Sequence, residues 1–224
     1  MCGSAQPRSA GGWAGSVFGG KKTLHASEQE RADVAAARVA WRAEICAEID
    51  PTRLVFLDES GVDTTMTPTY ARAPRGQRAL GRVPGGHWKR LTILGALALD
   101  GLVAAMTVAG ATTTEVFRIF VEQVLLPALQ TRRDCLVMMD NLSPHKAACV
   151  RNAFEAAGVA YRYLPPYSPD LNPIEPAWAV VKDHLRRAEA RSLDDLDAAM
   201  PQALNQITSS NAQGWFRLKG YRSN

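Results

Sequence analysis

Apolar and polar positions along the chain follow two rhythms, one of short unbroken runs and one of helical spacing. Residues 53–60 (RLVFLDES) form an apolar run that predicts a buried strand ending near Asp58. Residues 91–108 (LTILGALALDGLVAAMTV) form two such runs split by Asp100-Gly101, a hairpin signal. Thr112 stands three residues before Glu115, and Val116, Phe117, Phe120, Val121, Val124 and Leu125 then make one helical face. Residues 135–141 (CLVMMDN) read as a further buried strand. Ser143-Pro144 opens a helix expected to run to Gly158. A strand over VAYRYLPP, a helix from Pro173 and a last helix over SLDDLDAAMPQALNQI, kinked or broken at Pro201, complete the series. Upstream, Ser27 with Glu30 is a capping-box signature, and Val34, Trp41, Ile45 and Ile49 repeat at helical spacing until Asp50-Pro51.

A strand and hairpin followed by alternating helices and strands predicts an α/β fold, a mixed sheet with helices on both faces. The chain of 224 residues has room for one domain and an appendage. Residues 1–26, rich in Gly, Ser and Ala, read as a flexible segment, 27–50 as a linker helix and 51–224 as the domain. A phosphate-loop spacing over 15–22 fails as a nucleotide site, because Lys22 replaces the hydroxyl residue and no strand precedes it.

Composition narrows the class. A 46% hydrophobic fraction with 7% aromatics describes a globular protein with a sizeable core. A net charge of +4 and a sequence pI near 9.0 lean toward an anionic partner. Cys2, Cys46, Cys135 and Cys149 are far apart, with neither a Cys-x-x-Cys pair nor zinc-ligand spacing, which argues for a reduced, cytosolic protein. No apolar stretch is long enough to span a bilayer and no signal-peptide pattern opens the chain, so no membrane role is expected.

Three acids stand out by position. Asp58 and Asp140 end two strands; were those strands parallel neighbours, both carboxylates would meet at the carboxyl edge of the sheet. Glu175 lies in the first turn of a later helix, with 34 residues between it and Asp140. Converging carboxylates repel unless a cation shares them, and an all-oxygen set suits magnesium or manganese. Each acid also has a local explanation. Asp58 could serve a turn, with Glu59 as the ligand instead, and Asp140-Asn141 could be turn residues. Asn172, Pro173 and Glu175 could form a capping box.

The segments FLDESG, VMMDNLSPHK and above all LPPYSPDLNPIEPAW resemble the catalytic domain of bacterial insertion-sequence transposases of the mariner superfamily. The resemblance covers residues 53–178 and extends more weakly over 21–42 and 214–222. It implies a ribonuclease-H-like fold with a mixed five-stranded sheet, and Asp58, Asp140 and Glu175 as the metal-binding catalytic triad. It further implies Mg2+ or Mn2+, as two ions, and hydrolysis at transposon ends followed by joining of 3′ hydroxyls to target DNA. DNA is then the main partner, with the chain acting as a homodimer associated with the bacterial nucleoid in the cytoplasm. Relatives carry N-terminal helix-turn-helix modules, and no pair of short helices with a tight turn fits ahead of the first core strand. The expectation is a catalytic part, truncated or one half of a split transposase, served by a separate helix-turn-helix polypeptide. A remnant or a non-specific DNA-binding protein retaining the fold is the alternative.

The loop 70–90 carries Arg72, Arg75, Arg78, Arg82, Lys89 and Arg90 without one acid, a candidate phosphate-gripping surface or a solvated charge run. Lys182 and Arg186 fall near the helical angle of Glu175 and are further DNA candidates. His145, close after Asp140, could touch phosphate or be structural.

Overall fold

The computed structural model describes residues 26–222, so all but Ala26 of the expected N-terminal segment, with its phosphate-loop spacing, lies outside the described residues. Five strands, β1 (Leu54–Asp63), β2 (Arg90–Ala98), β3 (Gly101–Ala109), β4 (Leu136–Met139) and β5 (Ala160–Tyr163), form one mixed sheet in the order β3-β2-β1-β4-β5. β1 pairs antiparallel with β2 and parallel with β4; β4 pairs parallel with β5. The Asp100-Gly101 signal holds: β2 and β3 pair antiparallel across that tight turn, with Gly101 at a φ of 127°.

The helices are α1 (Ala32–Trp41), α2 (Thr114–Ile119), α3 (Leu126–Leu129), α4 (Ala148–Ala156), α5 (Ile174–Ala188), α6 (Leu193–Leu204) and α7 (Ser209–Lys219). Alternation along β1 divides the core into two layers. Leu54 and Phe56 face a layer with Trp178 and Val181 of α5, Met200 of α6 and Phe216 of α7. Val55 and Leu57 face Phe117, Phe120, Val150 and Phe154, from the α2–α3 stretch and α4. Both faces are covered, as an unbroken apolar run in a strand requires.

Several local expectations are corrected. β1 does not end near Asp58; antiparallel pairing with β2 carries it to Asp63, although Ser60-Gly61 looks like a turn. The basic loop therefore leaves the sheet at Asp63, and its base is closed by the Thr64 amide donating to the Lys89 carbonyl at 3.1 Å. Residues 27–50 are not one helix. Ser27–Glu30 is a 3-10 turn whose Ser27 hydroxyl donates to Glu28, α1 begins without a side-chain cap, and a π turn follows over Arg42–Cys46.

Thr113, not Thr112, caps α2, accepting from the Val116 amide at 3.3 Å. The helix expected from Ser143 to Gly158 is broken at extended Ala147, leaving a 3-10 turn over Pro144–Lys146 ahead of α4. α6 continues through Pro201, and α7 adds a further helix with a capping box at Thr208 and Asn211.

One close contact fixes α5 to the sheet. Gly95 of β2 is the register partner of Asp58, and a Cβ placed there would lie 2.6 Å from Cη2 of Trp178. The indole of α5 therefore seats directly on backbone. Gly95→Ala should force Trp178 and α5 away and destabilise the fold by about 1–3 kcal/mol, the usual cost of overpacking. Thermal melting measures this, and an unchanged Tm would show that the indole is free to move aside.

Candidate active site

Parallel pairing of β1 with β4 runs from Leu54 with Leu136 to Leu57 with Met139 and stops. The next residue on each strand is an acid, Asp58 and Asp140. β4 ends there, while β1 continues because β2 still pairs with its other edge. A cleft opens where the two strands part, at the carboxyl end of the parallel strands. Asp58, Asp140, Asn172 and Glu175 line this cleft of about 590 Å3, together with a wall of Leu164, Pro165 and Pro166.

Asp58 is only 8% exposed. Its Oδ1 accepts from the Glu59 amide at 2.8 Å and its Oδ2 from Nδ2 of Asn172 at 3.4 Å. Burial first, then the negative charges of Glu175 and Asp140, push its carboxyl up to about 8, against the pull of the Glu59 amide and the nearby Trp178 indole. The indole N–H itself has no hydrogen-bond partner, so its influence acts across a gap.

Asp140 behaves oppositely. Burial acts to raise it, but His145 and the Leu142 amide hold it below the usual carboxylate range. Oδ1 accepts from that amide at 3.0 Å and lies 2.5 Å from Nδ1 of His145, a short contact that lacks good hydrogen-bond alignment. His145 is wholly buried, stacked on Phe117 at 4.0 Å between centroids. Asn141 donates to the Leu164 carbonyl, and Tyr163 to that of His145 at 3.0 Å, so the end of β5 anchors the acid's loop.

Glu175 is exposed in the first turn of α5, and its carboxylate makes no hydrogen bond to any described residue. The anticipated capping box is absent: Pro173 stands at the start of α5 without a side-chain cap, and the Glu175 amide donates to the Asn172 backbone carbonyl. Oδ1 of Asn172 accepts from the Ile174 amide at 3.4 Å, but Glu175 does not cap in return. The free Asn172 amide instead reaches Asp58. An asparagine can do both because it carries an acceptor and a donor on one group. That bridge from helix start to strand acid was not foreseen, since sequence spacing suggests a cap and not this partner.

Among the described residues, no three His, Cys, Asp or Glu side chains stand close enough to enclose a cation as they are. The acids share a cleft without closing on one point. Glu59, the neighbour of Asp58, does not line the cleft, and its Oε2 is buried without a partner.

The basic candidates divide. Lys182 is half-buried, its ammonium lowered chiefly by burial and raised by nearby Glu175, with Arg186 and Arg90 close enough to oppose it. Lys182 therefore stands near the acids, but neither it, Arg186 nor Arg90 lines the cleft. Arg72, Arg75, Arg78 and Arg82 are exposed on the loop and do not line the cleft. Lys89 sits at the loop's closed base. Arg31 and Lys146 do line the cleft, although neither stands out in the sequence; only proximity in the fold marks them.

A family model described as DDE superfamily endonuclease matches residues 53–197. No curated protein matches significantly. Among solved structures, the Mos1 mariner paired end complex with Mn has a TM-score of 0.69 at 15% identity, covering 91% of this chain and 64% of that one. The Mos1 Strand Transfer Complex gives 0.72 at 16%, with 92% and 64% covered. The catalytic domain of Mos1 mariner transposase gives 0.61 at 16%, with 90% and 98% covered. This chain thus spans 64% of the chains in the two complexes, and at these identities the likeness is one of fold, the ribonuclease-H-like α/β sheet. With the family's model matched over well more than half of its length, the chain belongs to the DDE superfamily endonucleases.

Proposed function

We propose that this chain is the metal-dependent catalytic domain of a DNA transposase, with Asp58, Asp140 and Glu175 as its triad. It hydrolyses phosphodiester bonds at transposon ends and joins the freed 3′ hydroxyls to target DNA. The observation that carries this reading is the convergence of three acids, from two parallel strands and a helix start, on one cleft. Solved structures of the same fold include mariner Mos1 complexes with Mn and with Mg, which supports such a divalent ion as the cofactor; we take it to be bound as a pair.

The donor set fits. It consists of hard carboxylate oxygens; burial chiefly raises Asp58, and the repulsion from Glu175 and Asp140 that adds to it is what a divalent cation relieves. When bound, such ions supply Lewis-acid chemistry for phosphoryl transfer. The chain's own residues do the rest. His145 and the Leu142 amide keep Asp140 ionised, and Asn172 steadies Asp58. Glu175 presents an uncommitted carboxylate from the first turn of α5. Lys182, Arg186 and Arg90 face phosphate beside the acids, and the loop arginines extend that surface along the duplex. Two copies of the chain hold the two ends, and in a bacterial cell the place of action is the nucleoid. Among the described residues no helix is long and apolar enough to cross a membrane.

Calorimetry with Mn2+ and a short duplex should show affinity at least about tenfold weaker in Asp140→Asn than in wild type, and the variant should no longer nick plasmid. Full nicking by the variant would remove Asp140 from the triad. Equal binding in both proteins would favour a remnant that only binds DNA.

The raised Asp58 has a definite pH signature. Its folded pKa lies above the unfolded value, so its stabilising contribution is present at low pH and lost as pH rises through about 8. Without metal, Asp58→Asn should melt roughly 5 °C above wild type at pH 9 and level with it near pH 4. Parallel melting profiles at every pH would contradict the buried carboxyl. On the loop, replacing Arg75 and Arg78 by Ala should weaken DNA binding and reduce its salt slope by about 2; an identical slope would take the loop out of the interface.

A further inference from the structure

Arg38 belongs to α1, which lies outside the sheet, yet its guanidinium grips the segment that leads into Glu175. Nη1 donates to Oδ1 of Asp170 at 2.8 Å and Nη2 to Oδ2 at 2.6 Å, a two-point fork. Nη1 also donates to the Ser168 hydroxyl at 2.6 Å. The pair is largely screened from solvent, with side chains 14% and 30% exposed, and Arg38 holds the Asp170 carboxyl below its ordinary range.

Other side chains close on the same few residues. Nε2 of Gln29 donates to the Tyr167 carbonyl at 2.6 Å and reaches Oδ1 of Asp170 at 3.4 Å. Tyr167 has a φ of 54°, a left-handed conformation that a non-glycine residue keeps only where its surroundings enforce it. On the far side, the Tyr221 hydroxyl donates to the Leu171 carbonyl at 2.8 Å and accepts from the Trp41 indole of α1 at 2.9 Å. Residues 167–171 are thus held from α1 directly and through Tyr221. The next residue is Asn172, whose side chain accepts from the Ile174 amide at the start of α5 and donates to Asp58. Glu175 follows within one turn.

We infer that Arg38 is a positioning residue for the cleft: through Asp170 it sets where Asn172 and Glu175 stand relative to Asp58, and so sets the affinity for divalent cation. This rests on the triad reading given above. It makes α1 a working part of the site, able to transmit strain applied to α1 into cation binding.

The test compares wild type, Arg38→Ala, the charge swap Arg38→Asp with Asp170→Arg, and Arg118→Ala. The last breaks comparable surface ion pairs, with Glu115 on α2 and Glu122 in the π turn that follows it, away from the cleft. Two quantities are measured: Mn2+ affinity by calorimetry, and amide hydrogen exchange of 170–176 in the metal-free protein. Arg38→Ala should bind Mn2+ about tenfold more weakly and exchange those amides about tenfold faster. The swap should recover part of both, and Arg118→Ala should change neither. Unchanged values in Arg38→Ala, or an equal loss in Arg118→Ala, would overturn the inference. If wild type binds no Mn2+, the triad reading fails instead, and exchange alone decides: faster exchange confined to Arg38→Ala supports the clamp, and equal exchange rejects it.

Discussion

The cleft depends on one constraint, that β1 has two neighbours up to Leu57 and a single one afterwards. Full pairing on both edges keeps the first half of β1 buried and rigid. Loss of β4 at Met139 frees one edge of β1 where Asp58 stands, while β2 keeps the strand straight through Asp63. Were β1 to stop with β4, Asp58 would sit on a loop tip with water on most sides. Because it stays in the strand beside Gly95, under the indole of Trp178, it is buried instead. The unusual proton affinity of this carboxyl is therefore a product of sheet topology before it is one of local charge.

The three acids consequently occupy three different electrostatic situations. Asp58 is buried and reluctant to ionise; Asp140 is partly buried and compensated by His145; Glu175 is exposed and uncommitted. Glu175 is thus the acid most open to solvent, while Asp58 and Asp140 lie deeper at the ends of the parallel pairing. The acids line one cleft but stand apart, so among the described residues no three of them close on a single point.

How much of this could be read from residue order follows from the range of each interaction. Asp100-Gly101 marked the hairpin because a two-residue turn is decided by its own residues. Asp140 was legible as a strand end and Glu175 as a helix start, and the parallel pairing of β1 with β4 brought Asp58 beside Asp140, although Asp58 lies within β1 and not at its end. The end of β1 was not legible: Ser60-Gly61 carries a turn signal that pairing with β2 overrides. Ser27 and Thr112 show the limit of cap patterns, since a hydroxyl one residue away, or a 3-10 start, satisfies the chain equally well. α7 had readable marks in Thr208, Asn211 and Gly220. The burial of His145 under Phe117, the second hydrogen bond of Asn172 and the grip of Arg38 on Asp170 are contacts between distant residues, and no local pattern announces them.

The anchoring of Leu171 by Tyr221 has a consequence in time. Fifty positions separate the two residues, and the same hydroxyl must also meet Trp41, 180 positions before it. A ribosome delivers Trp41 early, the acids in turn, and Tyr221 well after all of them. The proline-lined wall thus receives its final tether only after every acid has left the exit tunnel. A chain still being synthesised holds the acidic side chains without the finished cleft, so the nascent enzyme stays incomplete until synthesis has passed α7.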